Sequence, residues 1–206
     1  MGKPLSEMTL EELWELFPIL LAEHRPEWGE WYREESSRLA KALPAGKFRL
    51  SHIGSTAIEG IYAKPIVDIL LEIPENIAMD GIGKIVQGCG YLCMSEEKER
   101  KSFNRGYTER GFAERVFHLH LRRFGDNDEL YFRDYLNGHP ETAKAYEALK
   151  LSLWKRFEHN RDAYTQAKGG FVREYTARAK AEYGSRYGSA KEKGSLENPG
   201  RSSGED

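Results

Sequence analysis

The stretch His52-Ile53-Gly54-Ser55-Thr56-Ala57, with Lys64-Pro65-Ile66-Val67-Asp68-Ile69 after it, decides how this chain is read. Phe48 to Ile53 alternates apolar and polar residues, as a half-buried strand does. Gly54 and Ser55 then break the run with a small turn, whose backbone N–H groups can meet phosphate oxygens. Pro65 biases Lys64 towards extended geometry. Ile66 to Ile73 is a nearly continuous apolar run, dense in β-branched residues, and reads as a central strand covered on both faces. Asp68 lies inside it, where a carboxylate is costly unless it is paired or bound to a metal. A phosphate-binding turn beside an interior acid points to a site where a nucleoside triphosphate and Mg²⁺ meet.

The rest of the chain narrows the classes. It has 206 residues, a formal net charge of −2, 39% hydrophobic and 31% charged residues. That is enough for one sizeable core with a well-solvated surface. The near-neutral balance argues against a dedicated nucleic-acid binder, which carries a basic bias. No apolar run approaches the roughly 20 residues that span a bilayer, and Met1 to Glu7 has no apolar segment like that of a secretory signal. Cys89 and Cys93 are not spaced Cys-x-x-Cys and have no second pair, which excludes a zinc ribbon. They read as ordinary thiols of a cytoplasmic protein.

Working outward, Thr9-x-x-Glu12 is a capping box that opens a short helix ending at Pro18. Ile19-Leu20-Leu21 reads as a short strand. Pro26 suits the first turn of a second helix, with Trp28, Tyr32, Leu39 and Leu43 as its apolar stripe. Residues 76–88 read as a helix and Tyr91 to Met94 as a strand. Lys101 to Tyr107 and Val116 to Phe124 read as an antiparallel pair around Thr108 to Ala113. His118, His120 and Arg122 share one face of the second of these, because side chains alternate along a strand. Asp126 or Asn127 caps a helix to about Leu136, Pro140 opens another through Phe157, and Asp162 to Tyr183 is helical but interrupted at Gly169-Gly170. Residues 1–183 thus form one domain, with the helix over 8–17 as an extension. Residues 184–206 are too polar to offset their ordering entropy and read as a disordered tail.

The candidate site residues carry open alternatives. Asp68 binds a metal or activates a hydroxyl, or else makes a buried hydrogen bond to Ser55, Thr56 or a histidine. Glu72, on the same face as Asp68, is a candidate substitute ligand. His118 and His120 complete a metal set with Asp68, contact phosphates, or are hydrogen-bonded sheet residues; two imidazoles would favour Zn²⁺, Fe²⁺ or Mn²⁺. His52 is placed to point into the same cleft. Gly54, Ser55, Thr56, Lys64 and Arg122 are candidate phosphate contacts, and Lys168 a lesser one, against the usual fate of a solvated surface charge, while Asp134 is a candidate partner for a basic residue of the site.

Five segments resemble the GrpB family: His52 to Ala57, Ala63 to Ile69, Phe117-His-Leu-His-Leu121, Phe132-Arg-Asp-Tyr-Leu136 with His139-Pro140, and Asp162-Ala-Tyr-Thr-x-Ala-Lys168. They cover roughly residues 18 to 182. The resemblance implies an α+β fold of nucleotidyltransferase type, a small mixed β-sheet flanked by helices with a C-terminal helical half. It further implies a nucleotidyl- or phosphoryl-group transferase acting on a nucleotide or other phosphorylated small molecule, with Asp68, His118 and His120 as catalytic and metal-binding residues and Mg²⁺ or Mn²⁺, or Zn²⁺, as the ion. The superfamily pattern places a second acid two residues after the first and a third on a later strand. Here those positions hold Leu70 and the His118-Leu-His120 pair. That departure supports an alternative, a ligand-binding module for a nucleotide or CoA-like molecule without turnover.

Overall fold

The structure, a computed structural model, describes residues 3–46 and 48–188. Five strands form one mixed sheet: β1 (Arg49–Ile53), β2 (Ile66–Ile73), β3 (Leu92–Glu96), β4 (Arg100–Thr108) and β5 (Gly111–Arg123). Their order across the sheet is β1-β2-β5-β4-β3. Only β2 and β5 run parallel; the other neighbours are antiparallel. Six α-helices surround it: α1 (Leu10–Leu16), α2 (Glu27–Ala42), α3 (Met79–Gly88), α4 (Asp128–Gly138), α5 (Pro140–Phe157) and α6 (Arg161–Tyr183). The expected α+β architecture, with a helical C-terminal half, is what the chain forms.

Alternation along β2 assigns the two faces. Val67, Ile69, Leu71 and Ile73 pack against Trp28 and Leu39 of α2 and Met79, Ile82 and Val86 of α3, the main core. The other face carries Asp68, Leu70 and Glu72, and looks towards the helical half. There Ile58 and Ile61 join Tyr131, Phe132, Tyr135, Tyr146 and Ala179 in a second core. The Thr9–Glu12 capping box is present in full.

Several local expectations need correction. Ile19 to Leu21 is not a strand: a single bridge joins Ala22 to Ala63, and the Ile19 N–H donates to the Glu158 carbonyl at 2.9 Å. Gly169 and Gly170 do not interrupt α6, which runs unbroken. Each glycine costs a helix about 1 kcal/mol, but Phe171 beside them packs on the Tyr146 and Tyr175 rings at 5.2 and 4.3 Å. Asn127 flanks α4 without capping it, because its side-chain amide donates to Glu72 at 2.9 Å and to the Tyr187 carbonyl at 3.0 Å. Residues 184–188, assigned from composition to the tail, are therefore part of the body: Tyr187 also receives the Tyr131 ring edge-on at 5.2 Å. The remainder of that tail, 189–206, lies outside the described residues.

Candidate functional site

The parallel pairing of β2 with β5 sets Asp68 opposite His118, and the antiparallel pairing with β1 sets Ile53 opposite Asp68. The chain leaves β1 at Gly54 with φ 72° and ψ −174°, a region closed in practice to other residues. A Cβ on Gly54 would overlap the Asp68 carboxyl group, lying 2.9 Å from its Cγ. Glycine is thus what lets the carboxylate rest against the turn. Ser55–Ala57 forms a single 3₁₀ turn closed by the N–H groups of Ala57 and Ile58. The N–H groups of Ser55 and Thr56 take no part in those bonds.

Asp68 Oδ1 lies 3.1 Å from His118 Nδ1 and 3.6 Å from His120 Nε2. Asp68 is acceptor-only when ionised, so His118 presents Nδ1–H to it and leaves Nε2 as an acceptor. The Tyr107 hydroxyl fills that role, donating to Nε2 at 2.8 Å, and itself accepts from Arg161 Nη2 at 2.9 Å. One polarised chain runs Arg161–Tyr107–His118–Asp68. Burial opposes ionisation of Asp68, but its imidazole hydrogen bonds outweigh that and hold the carboxyl well below the usual range. Burial pushes the His118 imidazole down, against the pull of Asp68.

Tyr107 reaches this face because of a bulge. The β4–β5 register shifts between Arg105 and Tyr107, around Gly106 with φ 93°. A side chain at Gly106 would crowd the Val116 backbone, its Cβ 3.0 Å from Cα. The step from Arg105 to Tyr107 covers two residues of β4 but five of β5, Phe117 to Phe112, so β5 carries the surplus residues, and past Gly106 Tyr107 stands on the side of Asn104 and His118. Neither Tyr107 nor Arg161 is a residue that alternation or motif reading selects. The signal available was a lone glycine inside a strand pattern, which marks a bulge.

A cavity of about 820 Å³ opens beside this chain of groups. Gly54, Ser55, Asp68 and His118 form one part of its wall; Lys64, Lys150, Lys168 and Arg161 form another. Lys64 and Lys168 flank the Tyr164 ring at 5.6 and 4.5 Å from its centroid. Lys150 is 1% exposed, donates to the Tyr62 carbonyl and lies 4.9 Å from the Tyr146 centroid. Burial, then mutual repulsion among cations, pushes Lys64 and Lys150 down to about 7. Burial takes Lys168 to about 8. Lys150 is a further residue the sequence reading missed.

Other candidates are engaged elsewhere. His52 pairs with Ile69 and so lies on the α2 face, stacked on Tyr32 at 4.8 Å. Its Nε2 donates to Thr56 Oγ1 at 3.0 Å, and Thr56 donates to the Ile66 carbonyl at 3.2 Å. Both brace the turn, and burial pushes His52 down to about 4. Arg122 is 8% exposed and gives its guanidinium to the Lys101 and Leu121 carbonyls at 3.0 Å, outside the cavity wall. His120 also lies outside that wall. Glu72 is fully buried, held by Arg49 Nη2 at 2.7 Å and by Asn127, so it is no substitute ligand. Leu70 packs with Ile53 and Leu130, filling with core the position where an acid was expected. Asp134 pairs with Arg133, which holds the His52 carbonyl at 2.8 Å. Among the described residues, no group of three or more His, Cys, Asp or Glu side chains is spaced to hold a metal ion. Asp68, His118 and His120 converge as a hydrogen-bonded cluster, each imidazole aimed at the carboxylate.

The family model described as GrpB protein matches residues 18–178. This chain belongs to the GrpB family. The UPF0157 protein PA4798 of Pseudomonas aeruginosa is 33% identical over 76% of this chain, which spans 65% of that relative's length. The crystal structure of the conserved protein GrpB from Enterococcus faecalis superposes with a TM-score of 0.68 at 27% identity, covering 80% of this chain and 99% of that one. A structure of the Cid1 poly(U) polymerase aligns with a TM-score of 0.47 at 9% identity, over 72% of this chain and 47% of that one. Within this GrpB-family chain the matched span contains the turn, Asp68, Tyr107, His118, Lys64, Lys150, Arg161 and Lys168, while α1 lies ahead of it. Among the described residues no helix is long and apolar enough to cross a membrane.

Proposed function

We propose that the cavity binds a nucleotide or another phosphorylated small molecule, and that the chain transfers a nucleotidyl or phosphoryl group from it. One observation carries this reading: a carboxylate–imidazole pair rests against a Gly-Ser turn in the wall of a cavity that Lys64 and Lys168 also line, neither of which forms an ion pair among the described residues. Two desolvated ammonium groups facing a cavity are stabilised by an anion entering it. The phosphates would meet the Ser55 and Thr56 N–H groups on one side and Lys64, Lys168 and Arg161 on the other. Asp68 would hold the Mg²⁺ or Mn²⁺ that travels with them, since such ions take one or two carboxylates plus phosphate oxygens and need no all-protein cage; the ion supplies charge neutralisation. An acceptor hydroxyl would take the place of the Tyr107 hydroxyl at Nε2 of neutral His118, which Asp68 orients through Nδ1, and give that nitrogen its proton as its oxygen attacks phosphorus and the bond to the leaving phosphate breaks.

The test is Asp68→Asn followed by titration calorimetry. Metal-dependent nucleotide binding is expected to vanish with little change in fold, and an unchanged Mg²⁺- or Mn²⁺-nucleotide affinity overturns the role. A second reading, binding without turnover, is favoured by the core packing of Leu70. Pyrophosphate or nucleotide release that depends on Asp68, measured over long incubation with candidate acceptors, decides between them.

A further inference from the structure

We infer that α1 supplies an apolar subsite for a flat aromatic ring, so that the ligand carries a nucleobase at the end opposite its phosphates. The inference rests on reading the cavity as a phosphate site and adds what lies at its other end.

Leu10, Leu13 and Trp14, spaced to share one helix face, all line the same cavity as Gly54 and Asp68. Leu10 is 50% exposed, and no ring packs on Trp14 among the described residues, although Phe17 one turn on is buried and packed. Leu13 and Trp14 are half-buried, and the part of their apolar surface that lines the cavity is open to a ligand. Phe17 fixes the helix there by packing on Tyr107 at 4.8 Å and Phe112 at 5.0 Å. Tyr107 is the residue bonded to His118, so one contact ties the apolar wall to the reacting end. The cavity lining holds both apolar and cationic side chains, and its volume of about 820 Å³ lies within the range of small-molecule and cofactor sites, roughly 300–1,000 Å³. A molecule matching both kinds has an anionic end and a flat apolar end. α1 lies ahead of residues 18–178, the span that the family model matches.

The experiment measures Kd for ATP, GTP, CTP, UTP and inorganic tripolyphosphate against wild type, Trp14→Ala and Trp14→Phe. Stacking of a base on an aromatic side chain gives a factor of roughly 5 to 150 in affinity. The wild type should bind at least one nucleoside triphosphate about tenfold or more tighter than tripolyphosphate. Trp14→Ala should remove that advantage and leave tripolyphosphate affinity unchanged, and Trp14→Phe should restore most of it. If tripolyphosphate binds and the advantage is absent or survives Trp14→Ala, the subsite is overturned while the phosphate site stands. If nucleotides bind with Trp14 dependence but tripolyphosphate does not, the subsite stands and the phosphate site falls. If no probe binds, both fall.

Discussion

Replacing Gly54 by alanine should damage this protein twice, in amounts that can be separated. The backbone at Gly54, φ 72° and ψ −174°, lies where other residues pay about 1–3 kcal/mol. The added Cβ would also occupy space held by the Asp68 carboxyl group. That group has Gly54 against Oδ2 and His118 against Oδ1, so moving away from the turn gives up the 3.1 Å bond to Nδ1. Loss of a hydrogen bond to a charged group costs about 1.5–3 kcal/mol. Gly54→Ala should therefore destabilise the fold by roughly 2.5–6 kcal/mol, a fall in melting temperature of roughly 5–24 °C for a chain of this size. The two contributions separate in a double-mutant cycle. In an Asp68→Ala background the overlap with the carboxyl group is gone and only the 3.0 Å approach to the Cβ of residue 68 remains, so Gly54→Ala should cost little beyond the backbone contribution. The coupling should be roughly 1.5–3 kcal/mol. Thermal and urea denaturation of the four proteins measures it. A single variant melting within about 2 °C of wild type, or an equal cost in both backgrounds, would refute the close approach of turn and carboxylate.

Two further outcomes are expected. Lys64 and Lys150 are pushed down to about 7 and Lys168 to about 8 from an unfolded value of 10.5, so between those values the unfolded chain binds more protons and stability rises with pH. A bound polyphosphate favours the ammonium forms, so binding at pH 8 should take up protons; calorimetry in two buffers of different ionisation heat reads the uptake, and equal apparent enthalpies contradict a lysine-lined anion site. Tyr107→Phe removes the hydroxyl that His118 Nε2 accepts. That bond favours the neutral ring, so the variant's His118 pKa, followed by NMR, should rise; an unchanged titration means that the hydroxyl does not face the imidazole.

Much of the fold was legible because it is written in local periodicity. The apolar run over 66–73 reads as a covered central strand, and β2 is one, with Asp68 its least buried residue. Alternation puts His118, His120 and Arg122 on one face, and the register confirms that shared face. The same rule failed at Tyr107, since the alternation breaks at Gly106, φ 93°, where β5 bulges by three residues against β4. It also failed to say which of the aligned residues would meet a cavity. Arg122 and His120 stand beside His118 on the strand, yet the Lys101 and Leu121 carbonyls hold Arg122, and only His118 lines the open space.

The sequence by itself determined the strand–turn–strand unit, the glycine at the turn and the acid after it, because these depend on backbone conformations and periods set within a few residues. Only the tertiary structure decided that Lys64, Lys150, Arg161 and Lys168 surround one cavity, that Tyr107 bridges Arg161 to His118, and that Leu70 belongs to the core. Those outcomes depend on which group, about 20 to 100 residues away along the chain, satisfies or crowds each polar atom once the helical half closes over the sheet, and local sequence holds no record of that competition.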